Sequence, residues 1–583
     1  MPNDRENPTA SQKPSTLSLC FPASGLHSLF FCAILAGLWL RVTQLPQQML
    51  FGDEWHALCT AARASYGQIL TSFGGSDHSI PIAAYYKLLM NTVGLSEWGI
   101  RTPFAAAGIL TVVIVPLLVR PCVDRFSVIL FAWLLALSPT LVFFSRFARP
   151  YAIVVFLSFC AIMFFFRWWV ESRRWCGLLY MLLTAMAAYM TVVVLPFLLA
   201  PFVFFFFLSL GQHGEQRWRG IRRLTGLGAL TAIPLFFLLL PPLLGDFSAI
   251  HVKAGHTPIP WSTAGTAFSI LTGVNSLLLA TALVIIAGAG IVRMFLTQKR
   301  FLSYLIAALL IQLASLLIIR PLASDSPHIL ARYMVPTLPC ILLFIAVGVQ
   351  TLSSNKWIRN KVVKVGIPIA FCLGLFLLGP YPAVLFRPNN ALGLRLYIHA
   401  LTGKDHRWIL KRIPSFYHTL ATHPPGSLTL VEAPHQCYTD PIPLYQEIHR
   451  QHVIKGMANG LWCTIPTAGQ GDLISDANGL ALNTMIPLST PRILVNRGVD
   501  FLIFHKHLQG ETPIMLPGYR DVDISGYIDR YRNLFGIPVF EDQDIVVFHI
   551  GREPLEKRGQ AALLRAYPAG ATKRDNPLDP SSE

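Results

Sequence analysis

Between residues 26 and 385 the chain alternates long apolar runs with short polar ones. Eleven runs approach the ~20 residues that carry a helix across a bilayer: 26–41, 101–119, 126–144, 150–166, 175–190, 192–210, 224–243, 266–292, 301–319, 333–350 and 365–385. A further stretch, 79–94 (SIPIAAYYKLLMNTVG), is broken by Pro81, Lys87 and Asn91. After 386 the pattern changes: GSLTLVEA, VDFLIFH and DIVVFHI read as short buried strands, PIPLYQEIHRQ and SGYIDRYRNLF as helices, and FEDQD as a hairpin turn. The expected fold class is therefore mainly α: a polytopic transmembrane helical bundle of about 11 spans followed by a C-terminal α/β domain.

Composition supports the division. Of 583 residues 53% are hydrophobic and 13% charged, against roughly 25% charged in soluble proteins, which excludes a soluble enzyme, a disordered scaffold and a small disulfide framework. Only eleven of the 30 acidic residues precede residue 386. The expected parts are a tail at 1–25, a membrane module at 26–385, a soluble domain at 386–551 and a polar, disordered tail at 552–583. The first apolar run lacks a small-residue cleavage site and reads as a retained anchor. No internal repeat is visible. On such a chain a net charge of +17 reports orientation and headgroup contact, not nucleic acid. No cysteine pair has CxxC or metal-ligand spacing; Cys437 and Cys463 could form a disulfide or equally be two unpaired thiols.

The positive-inside rule orients the spans. Basic clusters at Arg120/Arg125, Arg167/Arg173/Arg174, Arg217/Arg219/Arg222/Arg223, Arg293/Lys299/Arg300 and Lys356/Arg359/Lys361/Lys364 all fall inside if eleven spans follow a cytoplasmic N-terminus. A crossing at 79–94 would move every cluster outside, so that stretch is expected to be an amphipathic or re-entrant helix in an outer loop, 42–100. The same parity puts the C-terminal domain outside, on a plasma (inner) membrane protein.

Polar residues then sort to the outer face, where ordinary headgroup contact competes with function for each. Asp53 and Glu54 could accept a proton from an acceptor hydroxyl or amine, and Asp53 equally fits the N-cap of a helix through WHALCTAARASYGQIL. In SRFARPYA, Arg146 and Arg149 offer forked donors that suit phosphate oxygens, beside Tyr151; snorkelling into headgroups would look the same. The loop 246–258 carries His251, Lys253 and His256, suited to a phosphate, a metal or plain solvation, and Arg332-Tyr333 opens the tenth span in ARYMVPTLP.

The order of these motifs resembles the GT-C glycosyltransferases: one span, Asp-Glu in a long outer loop, DHxxP, YYKLL and LSEWGIRTPFAAAGILTV, then SRFARPYA, then ARYMVPTLP. Specifically, it resembles the branch containing protein O-mannosyltransferases, aminoarabinose transferases and related bacterial lipopolysaccharide glycosyltransferases, and the resemblance covers roughly residues 26–350. The resemblance implies transfer of a sugar from a polyprenyl-phosphate carrier to an extracytoplasmic lipid, glycan or protein. It implies that Asp53 is the base or acceptor-orienting group with Glu54 its neighbour, that Asp77 and His78 stand near the carrier phosphate, and that Arg149, Tyr151, Arg332 and Tyr333 belong to the substrate site. The family's His-Pro-Pro-Leu-Tyr-Tyr stands here as His-Ser-Ile-Pro-Ile-Ala-Ala-Tyr-Tyr, which leaves the register between His78 and Tyr85 open. A divalent metal held by Asp77 or His251 could serve but is not required, since arginine and lysine can neutralise a leaving phosphate.

The expected function is a membrane glycosyltransferase working by single displacement with inversion. Asp53 and Glu54 are the expected catalytic residues; Asp77, His78, Arg146, Arg149, Tyr151, His251, Lys253, Arg332 and Tyr333 are the expected substrate contacts. A non-enzymatic translocator of lipid-linked sugars or polysaccharides would instead place ionisable groups along the bilayer midplane. A membrane anchor for an active soluble domain fits less well, because no catalytic motif follows residue 386.

Overall fold

The computed structural model describes residues 23–43, 45, 53–73, 79–248, 254–255, 257–274, 277–354, 358, 360–382, 413–433, 442–454, 463–464, 494, 498–506 and 524–550. The chain forms two units, one of residues 1–48, 66–84 and 100–405, the other of 49–65, 85–99 and 406–583.

The larger unit is helical. Its elements are α1 (Ala23–Val42), α5 (Glu97–Val119, after its first turn), α6 (Arg125–Leu137), α7 (Pro139–Arg146), α8 (Tyr151–Glu171), α9 (Arg174–Met190), α10 (Leu195–Leu210), α11 (Gly214–Gly245), α12 (Trp261–Thr272), α13 (Leu277–Thr297), α14 (Lys299–Ile319), α15 (Pro327–Met334), α16 (Leu338–Ser353) and α17 (Lys361–Leu378). The short α3 (Tyr66–Leu70) also belongs to it. Among the described residues eight helices are long and apolar enough to cross a membrane, and nine if the bent pair α6–α7 is one span. The protein is a multi-pass membrane protein. Each of the eleven apolar runs carries a helix.

Local chemistry explains the breaks. Asp124 caps α6, its Oδ1 accepting from the amides of Phe126 and Ser127. Ser138 ends α6 and caps α7, where Pro139 occupies the first turn and the axis bends by 52°. The run 266–292, expected as one span, divides into α12 and α13. Gly273 closes α12 at φ +75°, and a Cβ there would stand 2.6 Å from Pro139 Cγ, so the turn requires glycine on both counts. Farther down, α13 and α16 cross at Gly290 and Gly348; a Cβ at either would overlap a backbone carbonyl oxygen of the other helix, Phe344 or Ile286.

The second unit holds α2 (Glu54–Arg63), part of α4 (Ile80–Asn91), and a C-terminal α/β layer. The stretch 79–94 does form a helix, though only twelve residues long. Lys87 Nζ donates to the Ala61 carbonyl of α2 at 3.1 Å.

The C-terminal sheet contains β1 (Thr429–Ala433), β2 (His452–Ile454), β3 (Cys463–Thr464), β4 (Phe501–His505), β5 (Phe540–Glu541) and β6 (Ile545–His549), in the order β3-β2-β1-β4-β6-β5. The first four are parallel and β6 is antiparallel to β4 and β5. Alternation sends Val431, Leu502, Phe504, Val546 and Phe548 to one face, against Ile528 and Tyr531 of α20 (Ile524–Phe535). Leu430, Ile503, Ile545 and Val547 face the other way, against Tyr417 of α18 (Ser415–Leu420) and Tyr445 of α19 (Ile442–His449). The hairpin into β6 turns on Asp542, whose Oδ1 accepts from the amides of Asp544 and Ile545. Cys437 lies outside the described residues.

Candidate active site

In the helical unit, the connection between α7 and α8 lines a cavity of about 310 Å³ together with α9, α14 and α15. The local sequence builds it. After α7 the chain turns extended at Phe147 (φ −104°, ψ 123°), and the Arg149 amide donates back to the Phe147 carbonyl at 2.7 Å. Pro150 then opens α8, which puts Tyr151 in the first turn. Tyr151 packs on Phe144 with the rings tilted at 52° and 4.9 Å between centroids and lies under the Arg332 guanidinium at 5.6 Å, a cation–π contact. Arg332 and Tyr333 end α15 just before a 3₁₀ turn, Val335–Thr337. Tyr189, the extended Thr191 and the 3₁₀ turn Val192–Val194 after α9 complete the wall.

Arg149 is the unusual member. It is 4% exposed, and its Nε and Nη1 are buried with no hydrogen-bond partner among the described residues. Buried polar groups without partners are rare because leaving such a group unsatisfied costs about 1–3 kcal/mol. A cavity that holds this cation beside a second arginine and three tyrosines is shaped for an anion. Most of the rest of its lining, Ile80, Val192, Leu316, Ile319 and Leu322 among it, is apolar and suits a hydrocarbon or sugar face, with Ser79, Thr191 and Ser315 adding hydroxyls.

The other expected residues have different surroundings. Arg146 is fully buried and is not a cavity residue: its Nη1 donates to the carbonyls of Leu40, Arg41 and Thr43 at 3.2, 3.2 and 2.8 Å. It satisfies the orphan carbonyls at the end of α1, which have no partner within their own helix. Arg41 is tied likewise, to the carbonyls of Gly37, Leu135 and Ala136 and to Ser145 Oγ. The two arginines of SRFARPYA thus divide, Arg146 to the frame and Arg149 to the cavity.

In the second unit Asp53 stands at the N-cap position of α2, where a cap was expected, but its backbone is helical and its side chain makes no cap bond. The carboxylate lies 3.7 Å from His56 Nε2. Glu54 is wholly buried. Asp77, His78, His251 and Lys253 lie outside the described residues. No group of three His, Cys, Asp or Glu side chains placed to hold a metal occurs among the described residues.

Two residues, one bracing the cavity from behind its lining and one within it, went unremarked in the sequence. Gln312 sits fully buried in α14; its Oε1 accepts from the Phe197 amide at 3.1 Å, and its Nε2 donates to the carbonyls of Val193 and Tyr333, each at 3.2 Å. One side chain thus ties three segments around the cavity. An amide alone within LIAALLIQLASLLII is the signal that would have found it. Tyr189 gave no signal, because an aromatic at a helix end is ordinary.

No protein-family model matches the chain, and no curated protein matches it. Among solved structures it is similar to ArnT from Cupriavidus metallidurans in the apo state, at 16% identity over 91% of this chain and 98% of that one, with a TM-score of 0.48. It is similar also to the same protein bound to undecaprenyl phosphate, at 15% identity, 91% and 99% coverage and a TM-score of 0.49. A third is the archaeal oligosaccharyltransferase AglB from Archaeoglobus fulgidus in complex with an inhibitory peptide and a dolichol-phosphate, at 12% identity, 82% and 69% coverage and a TM-score of 0.39.

Proposed function

We propose that the protein is a GT-C-type membrane glycosyltransferase that takes a sugar from a polyprenyl-phosphate carrier and passes it to a lipid, glycan or protein on the extracytoplasmic side. The observation that carries this reading is Arg149, a buried guanidinium with unpartnered donors on the wall of a largely apolar cavity. A lipid phosphate supplies what the site lacks: an anion for the fork and an apolar chain for the walls. The order of sequence motifs supplies the reaction class.

The chemistry is a single displacement. The acceptor oxygen attacks the anomeric carbon, its proton passes to the Asp53 carboxylate, and the bond from the anomeric carbon to the phosphate oxygen breaks with inversion. Charge accumulates on the leaving phosphate, where Arg149 and Arg332 neutralise it, with Lys253 as a third cation. Glu54 supports Asp53. The N-terminus is cytoplasmic and the C-terminal domain, outside, positions the acceptor.

Transfer from a panel of radiolabelled polyprenyl-phosphate sugars to a mixed acceptor pool, by the purified protein in lipid, tests the reading. Asp53→Asn should bind the carrier and fail to transfer, whereas Arg149→Met should fail at both. Carrier binding without turnover in the wild type, across the whole panel, would move the assignment to a translocator. Unchanged binding and turnover in Arg149→Met would remove the phosphate site.

A further inference from the structure

The opposite end of α8 carries a second cationic site. Trp168 and Trp169 lie roughly 27 Å along the helix from Tyr151 at 1.5 Å per residue, so this site is independent of the cavity and of the function proposed for it. The ends of four helices meet there. The Arg223 guanidinium of α11 lies over the rings of both Trp168 and Trp169, at 4.9 and 5.1 Å, and its Nη2 donates to the Trp168 carbonyl at 3.0 Å. Trp169 stacks on Phe205 of α10 at 4.7 Å, and Arg300 of α14 lies over the other neighbour in that row, Phe205, at 5.6 Å. Two guanidinium groups thus flank one stacked aromatic pair. Gly220 lets α11 approach closely: a Cβ there would stand 2.6 Å from Ser209 Oγ of α10.

Charge is unbalanced at this end. Its acidic residues among those described, Asp124, Glu171 and Glu215, are engaged locally: Asp124 caps α6, Glu171 pairs with Arg173 at 2.8 Å, and Glu215 pairs with Arg219 at 3.3 Å. Arg223 has no acidic partner among the described residues. It is half-buried and held flat by the indoles, so its remaining donors are ordered before any ligand arrives, which lowers the entropic cost of binding.

We propose that Arg223, Trp168, Trp169, Phe205 and Arg300 form a binding site for the headgroup of an anionic glycerophospholipid. The phosphate takes the open donors of Arg223, Arg300 adds a second positive charge at the same helix ends, and the acyl chains run along the apolar surfaces of α10 and α11, where Phe206, Phe207 and Leu230 are exposed. Aromatic rings at the interface with basic residues between helix ends are the chemistry that selects anionic headgroups.

The test is thermal unfolding of the delipidated full-length protein with added phosphatidylglycerol, phosphatidylcholine or inorganic phosphate, with native mass spectrometry counting retained lipid. Phosphatidylglycerol should raise the unfolding temperature and be retained, while phosphatidylcholine and free phosphate should do neither. Arg223→Gln with Arg300→Gln should lose more than half of that rise. Arg174→Gln with Arg217→Gln removes the same charge from exposed positions of the same end and should keep it. Because Arg223 also braces Trp168, Arg223→Lys is the second variant; it retains the charge without the fork and should keep the fold while retaining less lipid. Equal effects of phosphatidylcholine, equal losses in the two double variants, or full lipid retention in both Arg223 variants would overturn the proposal.

Discussion

Replacing Arg149 with methionine should make the empty protein more stable and the enzyme inactive. The two halves of this expectation have one cause. In the absence of a ligand, burying Nε and Nη1 without partners costs about 1–3 kcal/mol, and methionine occupies a similar volume without polar atoms. The unliganded variant should therefore unfold roughly 2–6 °C higher, taking ~2 °C or more per kcal/mol for a large domain. With a lipid phosphate bound the sign reverses. Losing one member of a desolvated charge pair costs about 2–5 kcal/mol, so transfer efficiency should fall by about 30-fold to about 5,000-fold. Tryptophan-fluorescence unfolding in detergent, with and without polyprenyl phosphate, measures the first half; initial transfer rates measure the second. Wild type should gain stability on adding the carrier while Arg149→Met stays indifferent to it, and Arg149→Lys should lie between them. A methionine variant that unfolds at lower temperature in the absence of lipid, yet still responds to the carrier, would refute the reasoning.

Gln312→Leu removes three bonds to backbone groups of three segments and should destabilise by about 2 kcal/mol or more; as a positioning effect it should raise KM for the donor more than it lowers kcat, as steady-state kinetics would show. In the α/β domain the hydrogen bonds from Lys506 and Arg532 hold the exposed Glu541 carboxyl below its ordinary range. A depressed carboxylate stabilises the fold above its unfolded pKa and loses that contribution as pH falls, so Glu541→Gln should narrow its difference from wild type on acid titration from neutrality to below pH 4, a difference of at most ~1 kcal/mol for surface pairs. His449 behaves oppositely in charge but alike in direction: burial pushes its pKa down to about 3, and its Nδ1 accepts from the Gln451 amide at 3.0 Å. The unfolded chain binds a proton that the folded one refuses, so stability should fall as pH drops from about 6.5 towards 3, and His449→Phe should flatten that limb in pH-dependent unfolding.

The helical positions were legible because spanning a bilayer demands long apolar runs, and β1, β4 and β6 because they are short runs rich in Val, Ile and Phe bounded by turn residues; β2, β3 and β5, two or three residues each, are too short to show a pattern. The break within 266–292 was not, since Gly273 in an apolar run looks like any small residue until Pro139 is seen beside it. In SRFARPYA both arginines carry the same local pattern; what separates them is α1, whose terminal carbonyls claim Arg146 from more than a hundred positions away. Gln312 announced itself by polarity alone, and its three partners belong to segments that only tertiary structure brings together.

The contact between Gly290 and Gly348 has a mechanical consequence. Where two helices touch through carbonyl oxygens, with no side chain between them to compress or rotate, α13 and α16 form a stiff plate whose members cannot slip past one another cheaply. Arg332 and Tyr333 hang from the edge of that plate through the Val335–Thr337 turn. A movement of Arg332 and Tyr333 relative to that plate must pass through those three residues, and Pro336, by fixing one of their dihedrals, restricts it.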